Sequence, residues 1–274
     1  MHPNAQKKLF GQINGIVGQK IISTHSPYIA ATAKLGQIRN FYKDEVVRCG
    51  RIETESLTPE ETRKIDRQVI NSRGEIFFSK LIVFIEGETE EQALPIFTQK
   101  HFGKTSVEMG LDFVGVGGYG YLPFLHFAEA LNIPWLIFSD AETTPDDVKG
   151  HVQRQFLKCG SPKRETDCIV FQDDGNDFEK QLINDGYGYE IKQAILSLEV
   201  YCNEQHRAAK EEKLAEEVEQ YNDKKLYEVI TGCKTQYGPA VAEQIIQSEK
   251  QLPPKIIALF TKIAAIFKME EGEI

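Results

Sequence analysis

The sequence predicts an α/β fold, a mostly parallel sheet flanked by helices, with an additional, predominantly helical region after it. Three observations carry that expectation. Between residues 75 and 189, short apolar runs alternate with amphipathic stretches, the pattern of parallel strands joined by right-handed crossovers. The first run, Leu81-Ile82-Val83-Phe84-Ile85, is apolar without a break and rich in β-branched residues, as a strand buried on both faces must be. From residue 190 onward the apolar positions follow helical spacing instead, at Ile191, Ala194, Ile195, Leu198, Tyr201 and Cys202.

The chain has 274 residues, 41% hydrophobic and 27% charged, enough to bury a substantial core in the manner of ordinary globular proteins. No apolar run reaches membrane-spanning length, and the opening Met1-His2-Pro3-Asn4 has no signal-peptide character, so a cytoplasmic protein without a membrane partner is expected. The five cysteines form no C-x-x-C pair, which predicts reduced thiols rather than a disulfide framework or zinc site. A net charge of −9 argues against a uniformly basic nucleic-acid-binding surface. It leaves room for a nucleic-acid enzyme, because carboxylates gathered around divalent metal add negative charge at the site itself.

Taken in order, residues 5–17 read as an amphipathic helix, 20–23 as a short strand, Thr24-His25-Ser26-Pro27 as a polar turn, and 28–35 as a second helix. Residues 38–52 read as a hairpin of edge strands and 58–71 as a charged connecting helix. Strands are expected over 81–85, 111–116, 135–139 and 168–171, with helices over 90–101, 122–131 and 148–158. Pro253-Pro254 then introduces an apolar-rich helix over 255–267. The expected division is 1–74, 75–189 and 190–274.

Carboxylates collect where these strands end. Glu86 closes the first strand and Glu90 lies in the first turn of the following helix, with Gly87 between them to let the chain turn. In open α/β sheets that edge is where ligands bind. The third strand runs into Ser139-Asp140-Ala141-Glu142, two carboxylates at i and i+2 that face one side of an extended backbone and suit a hard cation. Taken alone, Asp140 also reads as a helix cap, but carboxylate pairs at two buried-strand ends together favour the metal reading. After the fourth strand comes Asp173-Asp174-Gly175-Asn176-Asp177-Phe178-Glu179, which reads either as a third acidic site element or as turn chemistry with acids complementing a helix dipole. Lys255 opens the last helix, a position where its charge opposes the dipole.

The E-G-x-x-E turn at Glu86–Glu90 resembles the start of the Toprim domain, a metal-dependent phosphodiester module of topoisomerases, primases and OLD-family (overcoming lysogenization defect) nucleases. With Asp140-x-Glu142, the acidic cluster and the late lysine in that order, nearly the whole chain resembles the C-terminal region of an OLD-family nuclease. D-x-E stands where Toprim domains carry D-x-D. The T-H-S-P turn is similar to the last part of an ABC-type ATPase domain, which assigns His25 a role near the ATP γ-phosphate. No P-loop motif is present, so ATP binding is expected only with a missing N-terminal ATPase part.

The resemblance implies DNA cleavage with two Mg²⁺ or Mn²⁺ ions: Glu90, Asp140 and Glu142 mainly on one, Glu86 with Glu179 on the other, Asp177 nearby, and Lys255 on the scissile phosphate. It also implies a homodimer or higher oligomer, and phage defence at the family level. Lys149, Arg154, Lys158, Lys163 and Arg164, in a stretch without acids, are candidates for holding a DNA backbone. Two rivals stand beside this reading. Gly115-Val116-Gly117-Gly118-Tyr119-Gly120 satisfies G-x-G-x-x-G, the fingerprint of a dinucleotide-binding oxidoreductase, although a strand and helix precede it. The other is a non-hydrolytic module that binds DNA or dimerises.

Overall fold

A computed structural model describes residues 2–70, 74–118, 120–143, 147–198 and 204–269. The elements run α1 (Pro3–Gly15), α2 (Pro27–Ala30), β1 (Asn40–Asp44), β2 (Val46–Gly50), α3 (Pro59–Lys64), β3 (Leu81–Ile85), α4 (Glu88–Phe102), α5 (Ser106–Met109) and β4 (Leu111–Gly115). They continue as α6 (Leu122–Leu131), β5 (Trp135–Ser139), α7 (Val148–Cys159), α8 (Glu165–Cys168), β6 (Ile169–Phe171) and α9 (Phe178–Asn184). The remainder is helical: α10 (Gly188–Ser197), α11 (Glu204–Glu219), α12 (Asp223–Gly232), α13 (Lys234–Gln247) and α14 (Pro254–Phe267).

The four strands β3 to β6 form one parallel sheet in the order β4-β3-β5-β6. Every residue of β3 and β5 is buried, as their apolar runs require of central strands covered on both faces. The chain leaves β3 for β4 on one side and then crosses to β5 on the other, so a topological switch point lies between the C-terminal ends of β3 and β5. Glu86 follows the first of these strands and Asp140 the second.

The turn chemistry explains where the flanking helices stop. α4 ends at Gly103 and α5 at Gly110, both left-handed with φ 65° and 70°, conformations a glycine adopts without cost. α4 also carries Glu88, Glu90 and Glu91 in its first turn and Lys100 and His101 in its last, each complementing the helix dipole. It runs through Pro95, and α13 runs through Pro239, so each of these two helices forgoes one backbone hydrogen bond. Buried apolar side chains from Leu35 to Ala264 join in one continuous cluster around the sheet.

Two expectations for the first 40 residues are corrected. Residues 20–23 form no strand: the segment has no neighbouring strand to pair with, and Ile21 is 93% exposed. The helix expected over 28–35 is a single turn, Pro27–Ala30, followed by a short 3-10 turn at Leu35–Gln37, with Ser26 capping the first. The hairpin is present as antiparallel β1 and β2, and the connecting helix begins in a Thr58/Glu61 capping box. Beyond Lys64 it loosens into a π-helical stretch, Ile65–Ile70. Cys168 ends α8 rather than starting β6. Asn71, Tyr119, Tyr201 and Cys202 lie outside the described residues. The four described cysteines are all free thiols, and no described helix is long and apolar enough to cross a membrane.

Candidate metal centre

The sheet order brings the carboxylates of three separate strand ends to one crevice. Glu86 leaves β3 with Oε1 accepting a 2.7 Å hydrogen bond from Ser139 Oγ, the residue that closes β5. The phenol of Tyr121, buried ahead of α6, lies 3.5 Å from the same oxygen. Burial, opposed by these hydrogen bonds and reinforced by the Glu142 charge, pushes the Glu86 carboxyl up to about 7. The Tyr121 hydroxyl is pushed well above its usual range by burial and by the facing Glu86.

Glu90 is 2% exposed, and burial together with the charges of Glu179 and Glu86 raises its carboxyl to about 8. Gly87 is needed here for room rather than for its torsion angles. Its φ of −123° suits any residue, but a Cβ would stand 2.9 Å from Glu90 Oε2. The Glu90 carboxylate folds back over the turn into space that a side chain would fill.

Asp140 is the most exposed of the truly buried acids at 9%, yet its Oδ1 is sealed from solvent and has no hydrogen-bond partner. Burial and the surrounding Glu90, Glu86, Asp177 and Glu179 charges raise its carboxyl well above the ordinary range. A buried carboxylate oxygen facing other carboxylates is costly unless something positive answers it.

The cluster after β6 closes the crevice from the far side. Asp177 caps α9, Oδ1 accepting from the Lys180 backbone N–H at 2.7 Å, while Oδ2 accepts from Tyr227 Oη at 2.5 Å. Glu179, 2% exposed, accepts from Thr89 Oγ1 at 2.6 Å, and Lys234 Nζ lies 3.1 Å from the same Oε1. Glu142 is half-buried and adds its charge to Glu86 and Tyr227. Their charges couple unequally: the charge acting most strongly on Glu90 is that of Glu179, and on Glu86 that of Glu142.

All six expected metal-site acids, Glu86, Glu90, Asp140, Glu142, Asp177 and Glu179, therefore meet through their charges. Among the described residues, however, no three His, Cys, Asp or Glu side chains close around one point as a ready cage. Oxygens of Glu86, Glu179 and Asp177 are turned instead onto Ser139, onto Thr89 and Lys234, and onto Tyr227. The donor set still fits a divalent cation: it is all carboxylate oxygen, Glu90, Asp140, Asp177 and Glu179 are buried, and Asp140 Oδ1 is unanswered.

Lys255 lies outside this group, with Nζ 2.6 Å from Asp173 Oδ1 in an adjoining network. Gln181 bridges Asp173 and Asp185 there, at 3.0 and 2.8 Å. His25 packs against the ring of Phe78, 6.0 Å between centroids. Of the basic stretch, Lys149 pairs with Asp174, Lys163 pairs with Glu129 and lies 4.3 Å over the Trp135 ring, and Arg164 pairs with Asp167. Arg154 and Lys158 stand exposed one turn apart on α7. The glycine-rich turn follows β4, the edge strand, one place away from the switch point; Gly117 and Gly118 take φ of 66° and 68°.

Sequence reasoning missed Thr89, Tyr121, Ser139, Tyr227 and Lys234. Ser139 and Thr89 sit inside the motifs already singled out, so their nearness was legible even if their partners were not. Lys234 opens a 14-residue helix that has no acid in its first turn, the same dipole conflict that marked Lys255. Tyr227 carries no such signal.

Residues 77–141 match the family described as overcoming lysogenization defect protein-like, TOPRIM domain. The fold is similar to the solved C-terminal region of the Burkholderia pseudomallei OLD protein, with a TM-score of 0.50 and 20% identity, covering 69% of this chain and 99% of that one. It is similar to the same degree, TM-score 0.50 and 20% identity, to the C-terminal region of the Xanthomonas campestris pv. campestris OLD protein, covering 70% of this chain and 98% of the other. No curated protein matches the chain. The family match spans Glu86, Glu90 and Asp140, and ends just before Glu142.

Proposed function

With an OLD-like Toprim domain over residues 77–141 as the premise, we propose that this chain is a divalent-metal-dependent DNA endonuclease, the catalytic C-terminal part of a cytoplasmic ATPase-nuclease that acts in phage defence. The observation that carries the reading is the unanswered Oδ1 of Asp140, buried among carboxylates at the sheet's switch point.

The residues divide by neighbourhood. Glu86, Asp140 and Glu142 would hold one Mg²⁺ or Mn²⁺, and Glu90 with Glu179 a second, Asp177 standing behind them; this departs from the expected grouping of Glu90 with Asp140 and Glu142 and of Glu86 with Glu179, because the Glu142 charge acts most strongly on Glu86 and that of Glu179 on Glu90. Bound there, such ions supply an activated water and neutralise charge on the scissile phosphate and its leaving oxygen. Ser139 and Tyr121 fix the direction of the Glu86 carboxylate, and Thr89 fixes Glu179. Lys255 contacts the phosphate in this reading, which requires it to leave Asp173. Arg154 and Lys158 are the exposed pair best suited to the DNA backbone, with Lys149, Lys163 and Arg164 joining where their solvent-screened surface ion pairs yield.

Residues 75–189 serve as the catalytic core and 190–274 as the region that completes its site. Residues 1–74 serve in this reading as the tail of an ABC-type ATPase domain in which His25 approaches ATP, and the protein is a homodimer or higher oligomer. A second reading has one observation in its favour: the carboxylates are already partnered by protein groups, as suits a DNA-holding module without cleavage.

Supercoiled-plasmid cleavage with Mg²⁺, Mn²⁺, Ca²⁺ or EDTA decides between them. Metal-dependent nicking or linearisation that Glu86→Ala and Asp140→Ala abolish is the expected result. A parent inactive with every metal, but binding DNA, favours the second reading, and repeating the assay with the ATPase part and ATP separates that reading from a nuclease whose cleavage needs ATP.

A further inference from the structure

Lys234 is the cation that faces the buried acids, and its position is built rather than incidental. It begins α13, and one turn later Gly238 lies so close to α4 that a Cβ there would stand 3.1 Å from the Thr89 carbonyl oxygen and 3.2 Å from Thr89 Cα. That contact locks the first turns of α13 and α4 together. Thr89 in turn donates to Glu179 Oε1 at 2.6 Å, and Lys234 Nζ lies 3.1 Å from that same oxygen. The side chain is 38% exposed and Glu179 is 2% exposed, so the ammonium reaches inward from the rim to a sealed carboxylate. A lysine at a helix start repels the dipole, so this placement is sustained by the acids in front of it.

We propose that Lys234 is an internal counter-ion that holds the Glu90/Glu179 end of the acid cluster in the metal-free protein and is displaced from Glu179 when a divalent ion occupies that end. The inference rests on the metal-centre reading above and deepens it. The two ends of the cluster then differ in kind. At one end Asp140 meets an incoming ion with an unanswered oxygen, whereas at the other Glu179 must first release an ammonium. The first end fills more readily than the second. Metal binding also loosens the rim that Lys234 guards.

The wild-type chain tests this directly by acetylation with an amine-reactive ester, read residue by residue in a mass spectrometer. Lys234 labelling is expected to rise several-fold as Mg²⁺ or Mn²⁺ is added. Lys225, paired with Glu228 at 3.8 Å on the exposed face of α12, serves as the internal control and should not change. Unchanged or reduced labelling of Lys234 overturns the proposal. Calorimetric titration with Mg²⁺ alone supplies the second measurement. Lys234→Met should bind the weaker ion about tenfold more tightly, since a like charge a few ångströms away has been removed, and Lys234→Arg should behave as wild type.

Equal affinity in Lys234→Met and wild type counts against the proposal. If Lys234→Met folds only with metal present, the same displacement is implied, and the wild-type labelling stands on its own in either case. Failure of the metal reading itself is distinguishable. Then neither wild type nor Lys234→Met binds Mg²⁺, and both inferences fall. Binding that Asp140→Asn abolishes while Lys234 labelling stays flat removes only the role of Lys234.

Discussion

Glu90 shows how one small residue shapes a site through space rather than flexibility. The carboxylate lies over Gly87, and the first atom of any side chain at that position would stand 2.9 Å from Oε2. The clash is with the end of a side chain, so the backbone can keep its course while Glu90 is driven out. Gly87→Ala is therefore expected to stay folded, at a cost of roughly 1 kcal/mol, and to lose at least tenfold in metal-dependent cleavage. Circular dichroism with plasmid nicking checks both halves; loss of fold together with activity would contradict the steric account. The sequence displayed E-G-x-x-E but gave the glycine the wrong duty, because only the folded-back carboxylate reveals the space it needs.

At the scale of elements, the close approach of α13 to α4 sets the rim of the crevice. Gly238 faces backbone, which cannot swing aside as a side chain can. Gly238→Ala should lower stability by about 1–3 kcal/mol in urea denaturation, an overpacking cost. Gly188→Ala in α10 is the control. There the nearest atom is Leu226 Cδ1 at 3.7 Å, an ordinary contact, so the change should be neutral or mildly stabilising. Strand β3 offers a complementary case: Phe84 is fully buried and tilted against Phe124 at 5.6 Å, so Phe84→Ala should cost about 3–5 kcal/mol. The strands β3 and β5 were legible because burial on both faces leaves an unbroken apolar run, and the helices after them because each runs on to a left-handed glycine, Gly103 and Gly160. The expected strand at 20–23 failed for the converse reason. An extended apolar tetrapeptide becomes a strand only if a neighbour takes its hydrogen bonds, and no sequence pattern guarantees the neighbour.

For the whole molecule, the acid cluster links stability to pH and metal together. Glu86 and Glu90 titrate near 7 and 8 in the folded chain, above their ordinary 4.5. Between the unfolded and folded values the native state binds more protons than the unfolded one, so stability falls as pH rises from about 4.5 through about 8 and then levels. Thermal melts of metal-free protein at pH 5, 7 and 9 should show that decline, and Glu90→Gln should flatten it. Added Mg²⁺ should raise the melting temperature more at pH 9 than at pH 5, because only the ionised carboxylates bind it. A flat profile, with Mg²⁺ ineffective at every pH, would mean the acids are not gathered as described.

The sequence by itself determined the alternation of buried strands and capped helices, the carboxylates at strand ends, and through their order the resemblance that the family match over 77–141 bears out. Those features are local: apolar runs, periodicity and turn residues report on the chain within a few residues of themselves. Which partners meet was decided only by tertiary structure. The strand order β4-β3-β5-β6 sets Glu86 beside Ser139, the packing of α13 on α4 sets Lys234 on Glu179, and α12 delivers Tyr227 to Asp177. Each pair is separated by some 50 residues or more of chain, and such contacts are fixed by the burial of whole faces rather than by any motif at either end.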